Sequence, residues 1–494
     1  CNYSLTVGGI AHNGKIYLNR KLLTEHHGGF TAVNIDLPKV EAGTHELIIS
    51  ADNRFDDLNR PLAMPHFDWY SNGGIIRSVS LKPWRDCIID RVVPEITDWK
   101  NGKAKIKVEY RASETAKDSI PFQIEVDGHK LVELSVSPDD RICEIDIKVP
   151  DAKPWSSENP NLYNLVVTLG NQSKQIDLGF RQFRVEDNKL LLNDEPVIIK
   201  GVNRHDSHVQ FGFAVPEQTQ LTDVHIIKEM GCNFVRISHY PPDHSFLNLC
   251  DKLGLMVWCE ATSWGYKDQM ITDARLVDAQ QQCITEMINQ YAHHTSIVCW
   301  GFFNECASNI ESARPVYEKL VALIRKLDST RPLTYASMHC VVGPTPEKAK
   351  VNDLMLDLVD FISINVYPGW YGGSLDDCDK WLDNLAQSLK KTGWSKKPII
   401  VSEIGAGGLV GFESYGSIKW SLSYQSELLE KVLNYIFSQP IFNGVCIWQF
   451  CDIRASEYRW EDRPRNYNNK GLLDEYRRPK PAYHKVKNIY NRDS

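Results

Sequence analysis

The chain has 494 residues, with 56 Lys and Arg set against 63 Asp and Glu, for a net charge of −7. That length exceeds one core and implies about three domains at roughly 100–200 residues each, while the charge leaves no basic footprint for nucleic acid or an anionic membrane. No run of about 18 apolar residues offers a membrane span, no signal peptide opens the sequence, and the 13 scattered cysteines predict buried thiols of a cytoplasmic protein rather than a disulfide framework.

Residues 1–84 read as β, with short segments such as Lys15–Leu18, Leu47–Ile49 and Ile76–Leu81 bounded by Gly, Asn and Asp. Residues 85–183 continue in the same style through Lys105–Tyr110, Phe122–Val126, Cys143–Val149 and Leu162–Leu169. Strands at that spacing predict two β-sandwiches, the second the size of an immunoglobulin-like module. Neither stretch carries a dense cluster of acids, His or Cys, so both read as scaffold or carbohydrate-docking modules.

From residue 184 to 494 the texture changes. Eight apolar runs follow one another: Val197–Val202, Cys232–Ser238, Leu255–Glu260, Ile297–Phe303, Leu333–Ser337, Phe361–Tyr367, Pro398–Ser402 and Val445–Phe450. Near-continuous apolar strands are what a buried parallel sheet requires. Helical stretches lie between most of them, as in Glu217–Met230, Leu276–Tyr291, Ser312–Leu327 and Leu375–Lys391. In the third of these, Val316, Leu320, Leu323 and Ile324 share one face. The pattern predicts a (β/α)₈ barrel, the fifth and sixth units being the faintest. A doubly wound sheet is the alternative, but no GxGxxG word follows the first run.

In such a barrel, chemistry sits at the C-terminal strand ends. The fourth run ends in Asn304-Glu305 and the seventh in Glu403. Two acids that end two buried strands face the same rim. Each alone could simply cap its strand. Together they match the pair that glycoside hydrolysis needs: an acid to protonate the leaving oxygen and a carboxylate to attack the anomeric carbon, with retention of configuration when the two stand about 5–5.5 Å apart. Asn304 is then placed to donate to the sugar 2-hydroxyl.

From about residue 179 onward the chain resembles glycoside hydrolase family 2, and within it the β-glucuronidases. The words that carry the resemblance are Gly201-Val202-Asn203-Arg204-His205, Arg236-Ile237-Ser238-His239-Tyr240-Pro241, Asn304-Glu305, Asn365-Val366-Tyr367-Pro368-Gly369-Trp370-Tyr371 and Ser402-Glu403-Ile404-Gly405. Earlier words fit too: Trp155-Ser156-Ser157-Glu158-Asn159-Pro160, Gly179-Phe180-Arg181 and Gly73-Gly74-Ile75-Ile76-Arg77. The resemblance implies a jelly-roll sandwich over 1–84, an immunoglobulin-like sandwich over 85–183 and a catalytic barrel over 184–494. It makes Glu305 the acid/base and Glu403 the nucleophile of a β-glucuronidase that uses no organic cofactor, acts on a small-molecule or oligosaccharide β-glycoside and forms a dimer or tetramer. It also implies a first domain about twice as long, so that Cys1-Asn2-Tyr3-Ser4 begins inside it.

Asn468-Asn469-Lys470-Gly471 matches the Asn-x-Lys element by which family β-glucuronidases hold the substrate carboxylate. An ammonium beside an amide suits a carboxylate; the plain alternative is a polar surface turn. Tyr371 corresponds to a tyrosine that reaches the same carboxylate, and either Arg463 or Arg465 could supply an arginine. Asp206, His239, Asn365, Tyr367 and Trp448 are expected as sugar contacts or as packing behind the acids, with Trp370 a further apolar platform. The metal-dependent β-galactosidases carry Glu-x-His after the third strand. Here Glu260-Ala261-Thr262 stands instead, and no CxxC or HExxH spacing occurs, so no metal is expected. A galactoside or galacturonide remains the alternative sugar, and a non-catalytic carbohydrate-binding protein the alternative class.

Overall fold

The structure, a computed structural model, describes the chain except residues 55–66, 115, 117–118, 342, 344, 346–347, 460 and 493–494. Eight parallel strands close into a barrel: β1 (Ile199–Arg204), β2 (Phe234–Ile237), β3 (Met256–Glu260), β4 (Ile297–Asn304), β5 (Leu333–Ser337), β6 (Ile362–Asn365), β7 (Ile399–Ile404) and β8 (Gly444–Ile447). Each coincides with one of the eight apolar runs. Only Lys200 among all their residues escapes full burial, which is why the sequence signal is continuous rather than alternating.

Around the barrel lie α1 (Glu217–Glu229), α2 (His244–Leu253), α3 (Ala274–Tyr291), α4 (Arg314–Leu327), α5 (Cys378–Lys391), α6 (Leu422–Ser438) and α7 (Pro481–Tyr490). Helix α4 buries Val316, Leu320 and Ile324 of the predicted face together with Tyr317, while Leu323 is half-buried. Helix α2 shows local start and stop signals. The Asp243 side chain accepts from Ser245 N at its beginning, and Gly254 at φ +70° ends it. A Cβ on Gly254 would meet Ser157 O at 2.5 Å, so the stop doubles as a close approach to the preceding β region. Between β5 and β6 the described residues hold a small hairpin, Cys340–Val341 with Lys350–Val351, and a 3₁₀ turn, Leu356–Leu358, in place of a helix. That is the fifth unit, one of the two faintest in the sequence; the sixth has its helix, α5.

Two groups of antiparallel sheets precede the barrel. Over residues 87–178, one sheet runs Ile142–Lys148, Lys103–Ala112, Cys87–Asp98, and a second runs His129–Val136, Ile120–Val126, Tyr163–Leu169, Gln172–Leu178. They share a core that includes Ile106, Val108, Phe122, Ile124, Leu165 and Val167. Before them, three strands (Val33–Asp36, Asn2–Val7, Val79–Trp84) and three more (Lys21–His27, Asn13–Leu18, Leu47–Asp52) enclose a smaller core of Leu5, Val7, Ile10, Ile16 and Val33. The expected strand Ile76–Leu81 is split into Gly74–Ile75 and Val79–Trp84. Arg77 is the reason: it leaves the strand to donate to Pro241 O (2.7 Å) and to pair with Asp206 and Asp243 on the barrel.

The joints between these regions are polar and specific. Trp155 Nε1 donates to Asp251 O (2.8 Å), Gly179 N to Thr295 Oγ1 (3.0 Å) and Arg181 Nε to Thr295 O (2.9 Å). The last two hold the approach to β4, the strand that delivers Glu305. Cys232, Cys259, Cys299 and Cys446 are buried free thiols. No helix among the described residues is long and apolar enough to cross a membrane.

Candidate active site

Strand pairing places the two acids. Asn365 at the end of β6 is the register partner of Glu403 in β7, and the Glu305 amide, one residue past β4, donates to Ala336 O of β5 (2.9 Å). Glu305 sits at φ +53°, a left-handed conformation that a non-glycine residue adopts at a cost and that recurs where a side chain must be re-aimed. Both carboxylates line one cavity of about 510 Å³ at the C-terminal rim of the barrel.

Their surroundings differ. Glu403 is 4% exposed. Its Oε1 accepts from Arg236 Nη1 (2.6 Å), its Oε2 from the Tyr367 hydroxyl (2.7 Å), and His239 Nε2 stands 4.0 Å away. Glu305 accepts one bond, from Asn365 Nδ2 (3.0 Å). Its carboxyl is pushed up to about 7 by burial and by the nearby charge of Glu403, against the pull of the Asn365 bond and of Arg236. One acid is thus held by two donors, one of them a full cation. The other keeps its proton near neutrality.

A single hydrogen-bond path ties the pair. Asn365 Nδ2 also donates to Asn304 Oδ1 (3.1 Å), which accepts from Arg236 Nη2 (2.8 Å), and Arg236 returns to Glu403. Ser402 Oγ donates to Asn365 Oδ1 (2.7 Å) and so fixes the orientation of that amide. Asn304 Nδ2, the remaining donor, is buried without a partner. A buried orphan donor beside a reactive acid is what a substrate hydroxyl would satisfy. Burial alone would lower the pKa of Arg236, but Glu260 and Glu403 hold it above its ordinary value. Arg236 stands in one of the quoted words without a role. A charge inside the run Phe234–Ile237 was the available signal, because a buried cation must be paired.

Glu260, where the galactosidases carry their metal pair, is held by Arg236 (2.9 Å) and by His239 Nδ1 (2.9 Å). Burial and the charge of Arg236 drop His239 to about 3, so the ring is neutral. It stacks on Trp448 at 5.1 Å between centroids. Both line the cavity, as do Asn365, Tyr367, Tyr371 and Asn468. Asp206 does not line it. It is buried against Arg204 (3.0 Å), the Asp243 amide (3.2 Å) and Arg77 (3.7 Å), so of its two expectations, sugar contact or packing behind the acids, the structure fits the second. Trp370 is withdrawn as an apolar platform, packed edge-on against Trp420.

Two cations stand at the cavity: Arg463 lines it, and Lys470 lies behind the lining residue Tyr371. Lys470 is 1% exposed. Its Nζ donates to Tyr371 Oη (3.0 Å) and lies 4.9–5.7 Å from the ring centres of Tyr371, Trp370 and Tyr367. Burial, and then Arg463, lower its pKa despite Tyr371. Arg463 lines the cavity, whereas Arg465 turns away to Glu475 (2.9 Å). Arg463 Nη2 pairs with Asp68 (3.1 Å), which also accepts from Asn468 Nδ2 (3.3 Å). Asp68 lines the cavity and comes from the first β region. Its neighbour Trp69 packs 5.6 Å from His239. Residues 1–84, read as a scaffold or carbohydrate-docking module, thus bring one side chain to the cavity. No sequence signal marked Asp68, a lone acid among aromatics far from the barrel.

Comparison with known proteins agrees with this arrangement. The family described as Glycosyl hydrolases family 2, TIM barrel domain, matches residues 183–493, and Glycosyl hydrolases family 2 matches residues 89–181. A β-glucuronidase of Streptococcus agalactiae is 26% identical over 543 residues, covering 98% of this chain and 86% of that protein. The crystal structure of a family 2 β-galacturonidase from Eisenbergiella tayi bound to galacturonate has a TM-score of 0.91 and 31% identity, covering 100% of this chain and 88% of that one. A β-D-glucuronidase structure from Dictyoglomus thermophilum has a TM-score of 0.83 and 26% identity, covering 100% and 87%. With matched family domains over most of its length and two carboxylates converging on the rim of a closed barrel, the chain belongs to glycosyl hydrolases family 2 and is a glycoside hydrolase.

Proposed function

We propose that the chain is a retaining exo-β-uronidase and that its sugar is a β-D-galacturonide. The observation that carries the mechanism is the asymmetry of the two acids. Glu403, oriented by Arg236 and Tyr367, attacks the anomeric carbon while the Glu305 proton passes to the departing glycosidic oxygen. The resulting Glu305 carboxylate then takes a proton from water, whose oxygen attacks the same carbon and releases Glu403. Asn304 Nδ2 donates to the 2-hydroxyl, and Trp448 and His239 floor the sugar.

The uronide class rests on the cationic end, Lys470 with Arg463, Tyr371 and Asn468. Galacturonide is supported over glucuronide by the higher likeness to the galacturonidase structure, TM-score 0.91 and 31% identity, against 0.83–0.84 and 24–26% for the glucuronidases. Glucuronide is the second reading, favoured by the Asn468-x-Lys470 word and by curated relatives of that name. We read residues 85–183 as immunoglobulin-like and 1–84 as jelly-roll, the latter serving the site through Asp68.

Initial rates on 4-nitrophenyl β-galacturonide, β-glucuronide and β-galactoside test this, with the first-formed anomer read by proton NMR. The expected order places galacturonide first and galactoside last, with a β-configured first product. A galactoside rate equal to the uronides would remove the uronide class. A faster glucuronide would move the sugar to the second reading, and an α product would end the double displacement.

A further inference from the structure

A second cavity, about 1080 Å³, lies where the barrel meets both β regions, bounded by residues as far apart as Asp36, Arg111, Lys174 and Gln290. Two of its lining residues are His244, the first residue of α2, and His293, in the turn after α3. His294, next along that turn, is buried behind them. One ring nitrogen from each of the three lies within 4.8 Å of the others.

We propose that His244, His293 and His294 bind a divalent transition-metal cation of the zinc class, with water from the cavity as a fourth ligand. His244 Nδ1 and His294 Nε2 stand 3.2 Å apart. Two nitrogens at about 2.0–2.1 Å from a tetrahedral ion are separated by roughly 3.3 Å, so this edge is already at coordination distance. The other nitrogen of His294 has the partner that such ligands require. Its Nδ1 donates to Asp251 Oδ2 (2.7 Å), while Asp251 Oδ1 is fixed by the Ser296 amide (2.7 Å). A carboxylate behind a ligating imidazole sets the tautomer and turns Nε2 outward as an acceptor.

Lys174, Arg77 near His244 and Arg331 near His293 oppose a dication, and Asp251, bonded to His294, is an acid that counters them. The site is separate from the glycosidase centre, and its sequence signal is weak because His244 lies 50 residues from His294.

The test uses the full chain, stripped with a chelator and titrated with ZnCl₂ against a chromophoric competitor, with Co²⁺ as a spectroscopic probe. One equivalent should bind, Co²⁺ should give the strong visible bands of a tetrahedral site, and the melting temperature should rise with free Zn²⁺. His293→Ala, at a half-buried turn, should weaken binding at least ~10-fold, and Asp251→Asn, which keeps the shape, about 10–100-fold. Equal binding by the parent chain and His293→Ala, or no binding by the folded parent, would reduce the contact to an ordinary imidazole–imidazole hydrogen bond and overturn the proposal. If Asp251→Asn melts early, circular dichroism reveals it and His244→Gln takes its place.

Discussion

The two ends of the 510 Å³ cavity are built on different principles. At the reactive end every group comes from a strand end or the residues just after it: Asn304 and Glu305 from β4, Asn365 and Tyr367 from β6, Glu403 from β7. The barrel hydrogen bonds fix their spacing, and one path through Asn365, Asn304 and Arg236 couples them. At the cationic end the groups come from loops and from another region of the chain: Tyr371, Arg463, Asn468 and Asp68 line the cavity, and Lys470 stands behind Tyr371. Chemistry common to a family can reside in the first set, and the choice of sugar in the second, because loops change without disturbing the barrel.

The sharpest way to break that division is to remove each end in turn. Glu403→Gln should lower kcat about 10³-fold or more on every β-uronide, with the fold intact by circular dichroism, since an amide is far too weak a nucleophile for the anomeric carbon. A 2-deoxy-2-fluoro uronide should label Glu403 in the parent chain, read by peptide mass spectrometry. Labelling elsewhere would undo the assignment. Lys470→Ala should cost the uronides about 2–4 kcal/mol in kcat/KM, roughly 30–1000-fold, because it strips a buried cation from a charged partner. Hydrolysis of the matching galactoside should stay within a few-fold. Equal losses on both substrates would mean that Lys470 serves the barrel rather than the sugar.

A smaller effect tests the coupling at the reactive end. Glu305 must be protonated to begin the reaction, and its carboxyl titrates at about 7, so kcat/KM should fall as pH rises through about 7. The charge of Glu403 is one cause of the elevation. Carbon-13 titration of Glu305 in Glu403→Gln should therefore show a lower pKa than in the parent. An unchanged titration would mean that burial alone holds the proton.

The same contrast explains what could be read from the sequence. A parallel strand buried on both faces leaves a continuous apolar run, so all eight barrel strands were legible, and with them the acids that end two of them. The rule that strand ends carry chemistry locates a residue but not the direction of its side chain. Asp206 sits just past β1, where it could contact the sugar or pack behind the acids, and Arg204 and Arg77 draw it into the second place. Asp68 was illegible for a different reason. Its role exists only because the first β region folds over the barrel rim and sets Trp69 against His239, and nothing local encodes that docking. Arg463 was narrowed only to one of two candidates, because the choice depends on which way a loop turns.

The weakest expected effect is on stability, and its sign follows from linkage. In the folded chain the Glu305 pKa is raised from 4.5 to about 7. Between those values the native state holds a proton that the unfolded chain has released, so folding stability declines as pH climbs through this window and the loss is complete above about 7. Glu305→Gln removes the ionisation and with it the loss. At pH 8 it should raise the melting temperature by a few degrees, on the order of 1–3 kcal/mol. At pH 4, where both states are protonated, it should change little. A variant that gained nothing at pH 8 would show that Glu305 is solvated well enough to ionise freely, and the proton needed by the leaving oxygen would then have to come from another group.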